Sequence, residues 1–90
     1  MITLKVEVKM KPGHFDPEGN VTAKSLKDLG FKVGGVRVSK VYTIEVETVR
    51  EGEAVELGKE MCRKLLANPT KDNFIVEVIH EDAGLTAKGK

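Results

Sequence analysis

Ile2, Leu4, Val6, Val8 and Met10 alternate with Thr3, Lys5, Glu7 and Lys9 over the first nine residues after Met1. A period of two held for this long specifies a β-strand with one apolar face and one polar face. The apolar face has to be covered, and the rest of the chain must supply the cover. Lys11-Pro12-Gly13-His14-Phe15 ends the alternation, because proline and glycine break a regular backbone.

Asp16 then stands at a helix N-cap with Pro17 at the first helical position, where its missing amide proton costs nothing and the Asp16 carboxylate can accept backbone N–H groups. Gly19 inside the first turn costs about 1 kcal/mol relative to alanine, so a packing reason for it is expected. From Val21 to Leu29 the residues Val21, Thr22, Ser25, Leu26 and Leu29 fall on one side, with Lys24, Lys27 and Asp28 outward. Gly30 follows as a left-handed C-cap, with Phe31 expected to fold back on the helix end. Val36–Val38 and Val41–Val49 read as two strands joined at Ser39-Lys40, without the Asn-Gly signal of a tight hairpin.

A second helix starts at Arg50-Glu51-Gly52-Glu53, with Val55, Gly58, Met61, Cys62, Leu65 and Leu66 as its buried stripe. Asn68-Pro69 ends it, since the residue before proline is pushed out of the helical region. Phe74–His80 reads as the last strand, and residues 82–90 show no period and are expected to fray. The order is βαββαβ. With right-handed crossovers this predicts an α+β, ferredoxin-like two-layer sandwich, with both helices on one face of a four-stranded antiparallel sheet.

Ninety residues make a single domain, here residues 1–81. A chain this short buries only about 60% of the surface it exposes when unfolded, so an interface adds needed stability. The last strand supports one: if Phe74, Val76 and Val78 face the helices, Ile75 and Ile79 fall on the opposite face. A strand apolar on both sides is usually covered on both. Self-association through that face or an adjoining edge is therefore expected.

Fifteen basic residues against 14 acidic ones give a net charge of +1, a weak attraction for nucleic acid or an anionic membrane. This fold plan hosts RNA-binding modules, but those need aromatic platforms on the central strands, and the first strand offers Leu4, Val6 and Val8. No apolar run approaches the roughly 20 residues of a membrane span. The single Cys62 fits a reducing, cytoplasmic setting. It lies on the apolar helix stripe and reads as a small buried hydrophobe. His14 and His80 are far apart and give no metal-ligand spacing. Gly30, Gly34 and Gly35 follow a helix and precede a strand, the reverse of a dinucleotide-binding loop. No catalytic, cofactor-binding or metal-binding residue emerges.

Several local elements agree in order with one family. Asp16-Pro17-Glu18-Gly19 resembles its helix start, Leu29-Gly30-Phe31 its helix exit, and Val36-Arg37-Val38-Ser39-Lys40 its valine-arginine strand, with Ser39 where the pattern has glycine. The most distinctive stretch is Glu60-Met61-Cys62-Arg63-Lys64-Leu65-Leu66-Ala67-Asn68-Pro69. Over roughly residues 2–80 the chain resembles the PurS-type small subunit of phosphoribosylformylglycinamidine synthase. The resemblance implies a non-catalytic assembly subunit, a homodimer or homotetramer, bridging a glutaminase and a large synthase and helping ammonia pass between them. It implies no cofactor in this chain, ATP and Mg being used by the synthase. His14 and Phe15 in the loop, with Arg37 and Lys40 on the strand pair, are the candidate partner contacts. Fold analogy leaves open a stand-alone regulatory domain that binds a small effector. An acylphosphatase-like hydrolase would need an arginine in the 11–15 loop, which has none.

Overall fold

The computed structural model describes residues 1–80; the fraying expected over 82–90 lies outside the described residues. The elements are β1 (Ile2–Met10), α1 (Pro17–Asp28), β2 (Lys40–Val46), α2 (Glu51–Met61) with a π-helical turn at Cys62–Leu66, and β3 (Asp72–Ile79). β1 is central and antiparallel to both neighbours, in the order β2-β1-β3.

Register follows the alternation. Leu4 pairs with Ile44 on one side and Val78 on the other, and Val6 with Tyr42 and Val76. Leu4 and Val6 are completely buried, and Val8 and Val46 nearly so. α2 lies across this face and contributes Ala54, Gly58 and Cys62 to the buried set. At Gly58 an added Cβ would stand 2.7 Å from Leu4 Cδ1 and 3.0 Å from Val76 Cγ1. The missing side chain is what lets helix and sheet meet there.

Several expectations change. Val36–Val38 does not join the sheet, which has three strands among the described residues. The Val38 amide is donated to Asp16 Oδ2 at 2.8 Å, so a side chain takes the bond that a neighbouring strand would have taken. Ser39-Lys40 is accordingly no hairpin turn; Lys40 is the first residue of β2. β2 stops at Val46, not Val49. There Thr48 turns back, its amide on Val46 O and its hydroxyl donating to Glu53 Oε1.

The α1 stripe is also turned around. Gly19 and Ala23 are its buried residues, whereas Val21 is 63% and Leu29 74% exposed. Gly19 backs onto Val36 O, which supplies the packing reason expected for a glycine there. No α1 residue belongs to the core cluster. The helix exit is as expected in the backbone: Gly30 has φ +98°, its amide reaches Lys27 O, and the Phe31 amide reaches Leu26 O. The Phe31 ring nevertheless stays exposed.

Finally, Leu65 is 82% exposed. The π turn widens the helix by one residue, with the Ala67 amide donating to Cys62 O, and that phase change takes Leu65 off the stripe containing Gly58, Cys62 and Leu66.

Candidate interaction surface

Asp16 organises the end of the molecule where β1 finishes and β2 begins. Its carboxylate accepts from the Gly19 amide at 2.8 Å (Oδ1) and from the Val38 amide at 2.8 Å (Oδ2). One side chain thereby caps α1 and ties the extended 36–38 segment to it. The Gly19 N–H first, and then the Val38 N–H, hold the carboxyl below the usual carboxylate range. The nearby Arg37 charge adds a smaller pull, and burial works against all three.

Around this carboxylate three of the four candidate contact residues come together. His14, Phe15 and Arg37 line a shallow surface cavity of about 280 Å³ with Asp16, Asn20 and Val36. Phe15 is 70% exposed, Arg37 is exposed and His14 half-buried. Arg37 also borders a neighbouring cavity of about 490 Å³, whose wall includes Glu7, Lys9, Ser39 and Asn73. Ser39 is fixed there by donating its hydroxyl to Glu7 Oε2 at 2.8 Å. Lys40 lines neither cavity and sits at the start of β2 opposite Val8. The result is an exposed, mixed-charge surface with an apolar ring at its edge. It is suited to contact with another protein.

The two isoleucines lie on the polar sheet face. Ile75 is 45% exposed beside Glu7, and Val41 is 55% exposed on the other side of Glu7. Ile79 is half-buried beside Thr3. Lys5 and Glu77 form a wet pair between them at 4.0 Å, a spacing and exposure worth little stability.

Cys62 is buried, and its burial raises the thiol, with Arg63 pulling weakly the other way. A thiol held protonated is a poor nucleophile. His80 Nδ1 stands 3.9 Å from Glu51 Oε2 on an exposed rim. Among the described residues no three His, Cys, Asp or Glu side chains cluster to hold a metal, and no helix is long and apolar enough to cross a membrane.

Sequence reasoning missed one surface. Ile44, Leu57, Met61, Leu65 and Leu66 line an open groove of about 390 Å³ between α2 and the inner face of β2, with Glu60 and Lys64 at its edge. Its signal was present in the leucine pair at the end of α2, but the π turn that separates them leaves no mark in periodicity.

Known proteins of this shape share the sequence pattern. The family model for PurS, phosphoribosylformylglycinamidine (FGAM) synthase, matches residues 3–80. The phosphoribosylformylglycinamidine synthase subunit PurS of Archaeoglobus fulgidus is 43% identical over 72 residues, covering 79% of this chain and 90% of that protein. The crystal structure of Methanocaldococcus jannaschii PurS superposes with a TM-score of 0.80 at 36% identity, covering 88% of this chain and 96% of that one. A chain of the PurLQS structure from Thermotoga maritima gives 0.78 at 26% identity, covering 87% and 96%. These neighbours carry the expected α+β, ferredoxin-like fold. On the match across residues 3–80, the chain belongs to the PurS family of phosphoribosylformylglycinamidine synthase subunits.

Proposed function

We propose that this chain is the assembly subunit of phosphoribosylformylglycinamidine synthase in purine biosynthesis, working in the cytoplasm. It bridges a glutaminase subunit and an ATP-dependent synthase subunit. The glutaminase releases ammonia from glutamine, and the synthase, using ATP and Mg, adds it to formylglycinamide ribonucleotide to give formylglycinamidine ribonucleotide. The family match over residues 3–80 carries this reading. The likeness to a chain of the T. maritima PurLQS structure supports an assembled complex.

The chemistry explains why an adaptor is useful. Ammonia released into neutral water is protonated and loses its nucleophilic lone pair, so docking the two active sites preserves the reagent. The bridging role needs surfaces, not catalytic groups. His14, Phe15 and Arg37 around Asp16 form the contact surface for a partner subunit, with Lys40 nearby on β2. The chain works as a homodimer or homotetramer, the outer sheet face with Ile75 and Ile79 serving as one self-contact.

The test is turnover by the reconstituted glutaminase and synthase, with and without this chain. Omitting the chain should abolish turnover from glutamine while turnover from added ammonium persists. Equal turnover from glutamine in both mixtures would refute the bridging role.

A further inference from the structure

We infer that the cavity between β1 and the 36–39 segment binds a free α-amino acid, holding its ammonium and its carboxylate with groups of opposite charge. The cavity measures about 490 Å³, and Glu7, Lys9, Arg37 and Asn73 stand in its wall. Glu7 and Lys9 are successive outward residues of β1, about 7 Å apart along the strand. Their charges are opposite, yet among the described residues neither of them, nor Arg37, forms an ion pair. Glu7 is held by another group: its Oε2 accepts the Ser39 hydroxyl at 2.8 Å, from the segment that walls one side of the cavity. Opposite charges kept apart around one cavity suit a ligand that carries both signs.

Asp16 is the other carboxylate in the wall, and its oxygens are taken. Oδ1 accepts the Gly19 amide and Oδ2 the Val38 amide. The open groups are therefore one half-buried carboxylate, Glu7, and two exposed cations, Lys9 and Arg37. A phosphate would be drawn to the cations but would lie against the Glu7 charge. A simple cation would meet two like charges. An α-amino acid meets neither conflict: its ammonium donates to Glu7 Oε1, and its carboxylate accepts from Lys9 and Arg37. With a hydrogen bond of about 2.8 Å at each end it spans the gap from Glu7 to Lys9. Asn73, opposite Lys9 on β3, borders the space left for the side chain. The Asp16–Val38 bond fixes the segment that carries Arg37 and Ser39, so the site is formed before the ligand arrives. Charge pairs this open to water are weak, which places the affinity in the millimolar range. The site lies within one chain and does not depend on the bridging role.

Titration of the ¹⁵N-labelled full chain with L-glutamine at neutral pH, followed by amide NMR, tests it. Saturable shifts should concentrate at Glu7, Lys9, Val38 and Ser39. Two glutamine analogues, one without the α-ammonium and one without the α-carboxylate, should each bind about tenfold more weakly. Glu7→Gln should weaken glutamine about tenfold while leaving the analogue without the ammonium bound as well as before, a selectivity that general damage to the fold would not produce. Shifts elsewhere should match the parent chain, since Glu7 points outward from the sheet. No saturation at tens of millimolar glutamine, or an unchanged glutamine affinity in Glu7→Gln, would overturn the proposal. Inorganic phosphate or the ammonium-free analogue binding as tightly as glutamine would overturn it in favour of a plain anion site.

Discussion

Gly58→Ala tests the contact that holds helix to sheet. The added methyl would stand 2.7 Å from Leu4 Cδ1 and 3.0 Å from Val76 Cγ1. Leu4 is fully buried in the middle of the core cluster and has little room to retreat. Forcing a methyl into a packed core costs about 1–3 kcal/mol. Replacing glycine in a helix interior returns about 1 kcal/mol. Overpacking prevails, because the position is crowded by two side chains on different strands. The net loss is about 0–2 kcal/mol, toward the upper end at so crowded a position, a fall in Tm of up to about 15 °C for a domain of this size. Gly52→Ala is the control. Nothing lies within 4 Å of its added Cβ, so the same chemical change should leave stability unchanged or raise it. Urea and thermal unfolding at one fixed protein concentration measure both, since self-association would otherwise shift the midpoint. If Gly58→Ala proved as stable as Gly52→Ala, the close approach of α2 to Leu4 and Val76 would be wrong.

Other predictions address the Asp16 end and the core thiol. Asp16→Ala should speed hydrogen exchange in the first turn of α1 and at the Val38 amide, leaving β1 and β3 protected; unchanged exchange at Val38 refutes the tie. Since the folded Asp16 carboxyl ionises below its unfolded value, its contribution is fully present above about pH 4 and lost as pH falls through the lower folded value. Exchange at Val38 measured against pH should follow that window, and a loss beginning near pH 6 would contradict it. Arg37→Glu with Lys40→Glu should weaken assembly with the glutaminase and synthase about tenfold, with the fold retained, as read by co-purification and circular dichroism. Cys62 should resist alkylation at pH 7 in the folded chain and react on unfolding; rapid native labelling would show that the thiol is not buried.

The parts of the fold visible in the sequence are those set by local physics. Alternation along Ile2–Met10 gave the central strand and its buried face, and Leu4, Val6 and Val8 are the deepest strand residues found. Asp16-Pro17 and Gly30 bounded α1 because caps depend on backbone groups a few residues away. The errors lie where a distant group competes with a local preference. Val36–Val38 has the composition of a strand, yet Asp16, 22 residues earlier, takes the Val38 amide. Val21 and Leu29 follow a helical stripe correctly, but the side that is buried is the one bearing Gly19 and Ala23. At Leu65 the π turn changes the phase of an otherwise sound pattern. The candidate site was half visible: His14, Phe15 and Arg37 share one cavity, whereas the α2/β2 groove needed the tertiary arrangement.

The Asp16 carboxylate links these features into one device. It satisfies an amide at the start of α1 and another in the 36–38 segment, so neither can move without disturbing the other. Arg37 rides on that segment, and α1 turns Val21 and Leu29 outward. The proposed partner surface and α1 thus share one anchor, while the β-sheet and α2 form a separate packed body behind it. Such a division suits an adaptor. The body sets the fold through Leu4, Val6 and Cys62, with Gly58 letting helix and sheet meet, and α1 adds no residue to that cluster.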